Sequence, residues 1–299
     1  MTAYESRGIR SKDDKLFDTL IYIIAGIVLI LVLYPLLFVV SASFSDPVHV
    51  IEGKVWLLPQ GFTLEPYKHV FENDAIWQGY GNTLLYTLAG TLVNIILTVL
   101  AAYPLSQRDL PGRTFIMVLI TITMFFSGGL IPTYLLIKSM GMINTVWAMI
   151  LPGAISTYNL IVMRTFFQNG IPYELQESAW IDGASNFRLL LTIVIPLSTP
   201  ILAVMVLFYG VGHWNAYFNA MIYLKDRELF PLQLILREIL ILNQSENMGL
   251  EGAGMTERVM MAESIKYSVI IISSLPVLAL YPFVQKYFVQ GVMIGSIKG

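Results

Sequence analysis

Cysteine is missing altogether from this sequence of 299 residues. Disulfide bridges, thiolate metal sites and a cysteine nucleophile are therefore excluded. Charged residues are also scarce, at 13% of the chain against about a quarter in an average soluble domain. Since 56% of the residues are hydrophobic and the mean hydropathy is +0.68, the composition indicates that lipid is the solvent. The net charge of −2 gives no basic signature, so nucleic acid is not expected as a partner.

Motifs for phosphate and metal binding are missing as well. The sequence has no GxxxxGK loop, so the chain is not expected to hydrolyse ATP alone. It also has no HExxH helix or other close group of metal-ligating side chains. We therefore predict a protein without catalytic residues, without a metal and without a cofactor of its own.

What the sequence does contain is a series of long apolar runs. A helix of about 20 residues crosses the hydrocarbon core of a bilayer. Six runs reach this length, and they are Leu16–Val40, Leu84–Leu105, Phe115–Ile137, Val146–Phe167, Leu197–Leu224 and Tyr267–Phe288. We predict an all-α polytopic membrane protein with six transmembrane helices, as a single domain over residues 1–299. The first run is longer than the apolar part of a signal peptide, about 7–15 residues, so we expect it to be retained.

The third run is the weakest of the six. Ser127, the glycine pair 128–129 and Pro132 interrupt it, so its last part is either a re-entrant or a surface segment. The glycine pair itself fits a turn at the membrane surface or a gate. Both interpretations stay open from the sequence.

The distribution of basic residues predicts the orientation. Six crossings place both termini on one side, and Arg7, Arg10, Lys12 and Lys15 precede the first run. Because positive charge is enriched on the cytoplasmic side, we expect a plasma membrane protein with cytoplasmic N- and C-termini. Two outer segments, 41–83 and 225–266, are then long enough to contact an external partner, or they are solvated loops.

The inner segment 171–200, before the fifth run, has clear local signals. Pro172 suits the first turn of a helix, and Gly183 suits the residue after its last turn. Ser185 then resembles the N-cap of a second helix. The segment therefore predicts two short helices over 172–195 that meet at a glycine turn on the cytoplasmic face. The small apolar face of the first helix is formed by Leu175, Ala179 and Trp180.

This segment resembles the signature of ABC importer permeases, which is Glu-Ala-Ala, three residues, Gly, nine residues, Ile, one residue and Leu-Pro. Here it runs from Glu177–Ala179 through Gly183 to Ile193, Ile195 and Pro196, with Ser and Ile as mild departures at 178 and 195. The resemblance implies the type I ABC importer permease fold. It also implies a coupling helix that docks into an ATPase subunit, and the residues that match this role are Glu177, Ser178, Ala179, Asp182 and Gly183.

The resemblance extends to most of the chain and indicates a branch of the family. The segments Asn82–Leu84, Arg164–Phe167 and Trp214–Asn215 are similar to those of the carbohydrate-uptake permeases, in particular the second, six-span permease of maltose-type importers. The segment 225–266 resembles a subgroup for complex polysaccharides or oligosaccharides. The last nine residues resemble a tail that inserts between the ATPases, and its proposed contact residues are Gly291, Gly295 and Lys298.

Membership of this family implies a set of partners. A second permease subunit forms a heterodimer with this chain, two ATPase subunits bind ATP and magnesium, and a solute-binding lipoprotein docks outside. The implied function is import of sugars or oligosaccharides by alternating access. An ABC permease for another solute class, such as amino acids or phosphate, is the nearest alternative. A secondary transporter or an intramembrane hydrolase using Ser127 and His213 has less support, because no inverted repeat and no further catalytic motif is present.

Polar side chains in the fifth run are candidates for the solute pathway, because such groups are costly inside a membrane and often functional. The candidates are Tyr209, His213, Trp214, Asn215, Tyr217 and Asn219. The spacing of four residues between Tyr209, His213 and Tyr217 predicts a shared helix face. Asn94 in the second run is a weaker candidate. The alternative is that these side chains join neighbouring helices.

Overall fold

The computed structural model describes residues 12–246 and 265–280, together with residues 282 and 285. Over these ranges the regular structure is helical and no strand occurs, which confirms the all-α prediction. Contacts divide the chain into two compact units. One comprises Met1–Glu72 and Leu242–Ile272, and the other comprises Asn73–Ile241 and Ser273–Gly299.

The first unit is built around one long helix. Its helices are α1 Lys12–Ser43, α2 Pro47–Ile51 and α3 Glu65–Phe71. Most apolar side chains of α1 are exposed, as lipid contact requires, whereas its end at Ala42 and Ser43 is buried. The Tyr67 hydroxyl of α3 donates to Ser43 Oγ at 2.8 Å, and burial raises the pKa of Tyr67. The loop after α1 is therefore folded back onto the end of this helix.

The second unit contains most of the chain. Its elements are α4 Asp74–Ser106, α5 Arg113–Phe125, α6 Leu130–Ser139, α7 Trp147–Ile150, α8 Thr157–Gly170, α9 Tyr173–Ile181, α10 Asn186–Leu189, a π-helical turn Leu190–Val194, α11 Ile195–Leu197, α12 Thr199–Trp214, α13 Phe218–Tyr223 and a 3₁₀ turn Arg227–Leu229. Helices α14 Leu232–Glu246 and α15 Ile265–Leu280 each contain a boundary between the two units.

Helix α4 is the central element of the second unit and packs against α8 and α12. Its contact surface carries small residues, among them Gly90, Thr91 and Thr98, which allow close approach of neighbouring helices. The helix begins at Asp74, ten residues before the predicted run at Leu84. The side chain of Asn73 accepts a hydrogen bond from Ala75 N and caps this earlier start.

The predicted third run is bent, as its glycines indicated. Helices α5 and α6 meet at an angle of 112°, and Gly129 between them has φ +85°. The left-handed region favours glycine, because a side chain there meets the following carbonyl. The hydrophobic run is therefore divided into two helices at the predicted place.

The predicted fourth and fifth runs are also divided, which the sequence analysis did not predict. Residues 151–156 separate α7 from α8 and include Pro152 and Gly153, the latter at φ +75°. Residues 215–217 separate α12 from α13. Average hydropathy does not register such breaks, because apolar residues continue on both sides of them. In these two places the structure differs from the predicted continuous helices.

Several described helices have the length and composition to cross a membrane. Two single helices are long and apolar enough, namely α1 from Lys15 and α4. Two bent pairs are also long and apolar enough when each pair is taken as one crossing, namely α5 with α6 and Asn186–Leu197 with α12. α15 is a shorter apolar helix in its described part. These helices fit a membrane protein, and the number of six crossings stays a prediction.

A short segment before α14 is hydrogen-bonded to α4. The Asn82 side chain donates to the carbonyls of Glu228 and Phe230, and the Tyr86 hydroxyl donates to Leu229 O at 2.8 Å. Thr83 Oγ1 accepts from Leu232 N. The early part of the predicted outer segment 225–266 is thus an ordered structure, with its amphipathic stretch forming α14.

A buried apolar cluster holds the other end of this unit together. It joins α4, α8, α9 and α12 through Tyr103, Phe167, Ala179 and Met205, and Leu189 of α10 is fully buried within it. Because every one of these elements contributes to one packed core, the segment that resembles a coupling helix is anchored to the long helices beside it.

Candidate functional site

The segment 172–197, which we name the foot, contains the predicted helix–turn–helix. Helix α9 follows Pro172, which occupies the N-cap position, and ends at Asp182. Gly183 has φ +75° and forms the turn, and Ser185 Oγ accepts from Arg188 N at 3.3 Å to cap the next helix. These signals confirm the predicted local structure.

The second part of the foot is longer than expected. Helix α10, the π-helical turn and α11 run together over Asn186–Leu197, and this helix meets α12 at 82°. Ser198 lies at the bend, and Pro200 in the first turn of α12 has no backbone N–H to extend the preceding ladder. The foot is therefore connected directly to the helix that carries the candidate pathway residues.

One face of α9 is buried, and it matches the predicted apolar face only in part. Ala179 packs into the apolar core, and Gln176 beside it is only 6% exposed. Leu175 was predicted to share this face and is 41% exposed, so that part of the prediction is wrong. Trp180 is half-buried, and its Nε1 donates to Asn186 Oδ1 at 3.0 Å, which joins the two helices of the foot.

The opposite face of the foot presents acidic and apolar side chains to the surroundings. Of the predicted coupling residues, Glu177, Ser178, Asp182 and Gly183 are exposed, and Ala179 alone is buried. Two apolar side chains that the sequence analysis did not select also protrude, since Ile181 is 86% and Phe187 63% exposed. A large apolar residue beside a glycine turn, among acidic neighbours, is the signal that points to such a contact surface.

A second polar region lies between α4 and α12. The Tyr209 hydroxyl is 2.7 Å from Thr98 Oγ1 and accepts from Ser156 N at 3.2 Å. His213 Nε2 is 3.2 Å from Asn94 Oδ1. These hydrogen bonds join helices that are far apart in sequence. They are the contacts expected if the polar side chains connect neighbouring helices.

The close approach at His213 depends on a glycine. A Cβ atom on Gly90 of α4 would collide with the imidazole ring of His213. The ring therefore occupies the space that any larger side chain at position 90 would fill. This contact places His213 in a tight interhelical packing position.

The remaining candidates lie at the end of α12. Trp214 is buried, and its Nε1 donates to Ser273 O at 2.9 Å. Asn215 is exposed and its side chain donates to Val211 O. Because α12 ends at Trp214, Tyr217 does not share a helix face with Tyr209 and His213, and that prediction is wrong. Asn219 is half-buried in α13.

Two further predictions concern the C-terminal tail and metals. The tail residues Gly291, Gly295 and Lys298 lie outside the described residues, so their proposed contacts stay a prediction. In the described ranges no group of three or more His, Asp or Glu side chains is placed to hold a metal ion.

Comparison with known proteins gives a consistent result, although no protein-family model matches the chain. The chain is 40% identical over 289 residues to protein LplC of Bacillus subtilis, covering 97% of both proteins. It is 41% identical over 288 residues to the polygalacturonan/rhamnogalacturonan transport system permease protein YtcP of the same organism, covering 96% of this chain and 99% of YtcP.

A solved structure agrees in fold and in sequence. It is the crystal structure of a bacterial ABC transporter involved in the import of the acidic polysaccharide alginate. The match has a TM-score of 0.84 and 30% identity, and it covers 94% of this chain and 99% of that one. Together with the relatives in Bacillus subtilis, this structure shows that the chain belongs to the carbohydrate-uptake branch of the ABC importer permeases.

Proposed function

We propose that the chain is one of two permease subunits of an ATP-driven importer that takes up sugars or oligosaccharides. The second permease completes a heterodimer, and an extracellular binding lipoprotein delivers the solute. Two ATPase subunits on the cytoplasmic side bind ATP and magnesium, and the foot of this chain docks into one of them. The chain itself contributes no catalytic residue.

The observation that carries this proposal is the two-sided character of the foot. Its inner side is fixed in the core through Ala179 and Leu189, while Ile181 is 86% exposed at its tip. Exposing so much apolar surface costs free energy in water, about 25 cal/mol per Å², which a protein partner recovers on binding. The neighbouring carboxylates of Glu177 and Asp182 favour a basic groove in that partner.

The geometry supports a mechanism for transmitting ATP-driven movement. Movement of α9 is passed to Asn186–Leu197 through the Trp180–Asn186 bond and the shared core. That helix continues into α12, which carries the polar residues packed against α4. Closure of the ATPases can therefore shift α12 relative to α4. To drive alternating access, the ATPases must bind the two states of the foot with different free energies.

The solute class is inferred from the relatives and from the polar residues. YtcP is named for polygalacturonan and rhamnogalacturonan transport, and the structural neighbour takes part in alginate import. Sugar hydroxyls bond amide side chains, and aromatic rings stack on sugar faces. Asn215 and Tyr217 suit this role better than His213 and Asn94, because they are exposed, whereas Asn94 is buried and bonded to the half-buried His213.

Disulfide or maleimide crosslinking tests the docking of the foot, because the chain has no cysteine of its own. We expect Ser178→Cys and Ile181→Cys to crosslink to an ATPase subunit in the intact transporter. Glu72→Cys, an exposed position on the predicted outer segment, is the matched control and should give no such product. Crosslinks from the foot only to outer proteins, or none to the ATPase with several linker lengths, contradict the proposal.

A further inference from the structure

A polar pocket lies against the start of α9, where Tyr173 and the buried Gln176 line it, whereas the exposed Ile181 does not. It has a volume of about 440 Å³ and is enclosed by the end of α4, the loop to α5, the end of α8 and the start of α9. This volume falls within the range of about 300–1,000 Å³ that is usual for small-molecule sites. The residues important for its chemistry are Gln107, Arg108, Arg113, Gln168, Asn169 and Gln176.

Two guanidinium groups line this pocket without a carboxylate. Arg108 lies over the Tyr173 ring at 4.9 Å, and Arg113 donates one hydrogen bond to Gln107 O at 3.0 Å. In the part of the chain that the structure describes, neither makes an ion pair. Asp109, although next in sequence to Arg108, lines a different pocket. Most N–H donors of both arginines thus remain available to a ligand.

A buried amide provides the second, independent observation. Gln176 is 94% buried, since 6% of its surface is exposed, and its Oε1 has no hydrogen-bond partner in the described structure. Buried polar atoms are usually paired with protein or water, so an amide without a partner beside a pocket can take up a hydrogen bond from the molecule that occupies it. Since Oε1 itself is covered, a hydroxyl in the pocket would accept from the amide nitrogen, or would donate to the oxygen after the amide rotates.

The charge and the amide together define the ligand. Two arginines bind the oxygens of a phosphate well, through paired N–H donors. Around them, Gln107, Gln168, Asn169 and Gln176 offer amides for hydroxyl groups. We propose that the pocket binds a phosphorylated polyol, with the phosphate on Arg108 and Arg113 and a hydroxyl on Gln176.

Such a ligand has two sources with the same chemistry. One is the glycerol phosphate headgroup of an anionic membrane lipid, because basic pockets on the cytoplasmic side of membrane helices bind such headgroups. The other is a soluble sugar phosphate. From either source, the ligand bridges the α4–α5 loop and α9, so its binding fixes the base of the foot to the long helices.

Binding measurements on the purified complete transporter test this site. Glycerol 3-phosphate and inorganic phosphate are titrated against the wild-type transporter and against Arg108→Gln and Arg113→Gln. Because a charge-assisted bond is lost, we expect each variant to bind glycerol 3-phosphate about tenfold more weakly or worse. Among the described residues Arg108 has no hydrogen-bond partner, and its replacement removes only the contact with the Tyr173 ring, so folding should stay intact. Arg188→Gln, an exposed arginine of the foot outside the pocket, should keep wild-type affinity.

The variant Gln176→Leu tests the hydroxyl contact of the ligand separately from its phosphate contact. We expect it to weaken binding of glycerol 3-phosphate while leaving binding of inorganic phosphate unchanged. Native mass spectrometry then identifies the source, because phosphatidylglycerol retained by the wild type and lost from Arg108→Gln indicates the lipid. Saturable glycerol 3-phosphate binding without lipid retention indicates a soluble ligand. Equal phosphate affinity and equal lipid retention in the wild type and Arg108→Gln would overturn the proposal.

Discussion

At the scale of single residues, the contact between Gly90 and His213 explains why a costly polar side chain is kept between two membrane helices. The imidazole ring occupies the space beside Gly90, where a side chain would otherwise lie. Its Nε2 is within hydrogen-bond distance of Asn94 Oδ1, one turn further along α4. Burial of a polar group is tolerated when it is hydrogen-bonded. The pair therefore joins α4 to α12 and fixes the distance between them.

Gly90→Ala tests this contact. We expect the substitution to destabilise the protein by about 1–3 kcal/mol, because the added methyl group overfills a packed interface. Gly81→Ala in the same helix is the control, since no atom lies within 4 Å of a Cβ there, and it should be neutral or stabilising. Thermal unfolding of the purified transporter, followed by size-exclusion chromatography, measures both.

A double variant distinguishes packing from solute contact. If His213 serves to join the helices, His213→Ala should restore part of the stability lost in Gly90→Ala. Solute affinity, measured by uptake, should then change little in His213→Ala alone. A large loss of affinity with unchanged stability in His213→Ala would show that the imidazole acts on the solute instead.

At the scale of elements, the glycine turn of the foot decides how its two helices meet. Gly183 has φ +75°, and apart from its chain neighbours no described atom lies within 4 Å of the position that a Cβ would take, so only the backbone conformation opposes a side chain. We expect Gly183→Ala to cost about 1 kcal/mol in the turn, and Gly183→Asn less, since Asn tolerates the left-handed region. Both variants should assemble.

Coupling is the quantity to compare in these variants. In reconstituted vesicles, we expect Gly183→Ala to lower uptake per ATP hydrolysed more than Gly183→Asn does. The physical reason is that a distorted turn changes the direction of α9 relative to Asn186–Leu197. Identical coupling in wild type and Gly183→Ala would argue against a role for the turn. Gly112→Ala, at φ +74° in the loop before α5, controls for strain elsewhere in the fold.

The foot was predictable because its signals are local. Pro172, Gly183 and Ser185 each act within one turn of helix, and their spacing in the sequence is their spacing in the structure. The burial of Gln176 in place of Leu175 was not predictable, because it depends on which side of α9 meets the core. A polar residue turned inward toward a pocket opposes the usual apolar pattern.

The breaks in the apolar runs mark a second limit of prediction. Hydropathy identifies segments that lipid accepts, but it does not locate the ends of helices inside them. Pro152 and Gly153 were available as signals for the break before α8, whereas the glycines near the end of α12, Gly210 and Gly212, lie inside the helix and none follows Trp214 directly. The pairing of His213 with Asn94, 119 residues apart, requires the three-dimensional arrangement of the helices.

At the scale of the whole molecule, the sequence predicts a fixed orientation in the membrane. A membrane-impermeant maleimide should label Glu72→Cys in intact cells and should label Ser178→Cys only after the cells are permeabilised. Both positions are exposed in the structure, so access to the reagent depends on the side of the membrane. Labelling of Ser178→Cys from outside would show that the orientation is opposite to the predicted one. The foot would then not face the ATPases.

The angle at Ser198 has a consequence for how the permease meets the lipid. The helix Asn186–Leu197 meets α12 at 82°, close to a right angle. A displacement of the shorter helix along its own axis therefore shifts α12 sideways, with little sliding along its length. With α12 crossing the bilayer, as we propose, such a shift would leave its apolar residues at nearly the same depth in the hydrocarbon layer. In the proposed mechanism the interior would therefore rearrange without moving hydrophobic side chains into the headgroup region.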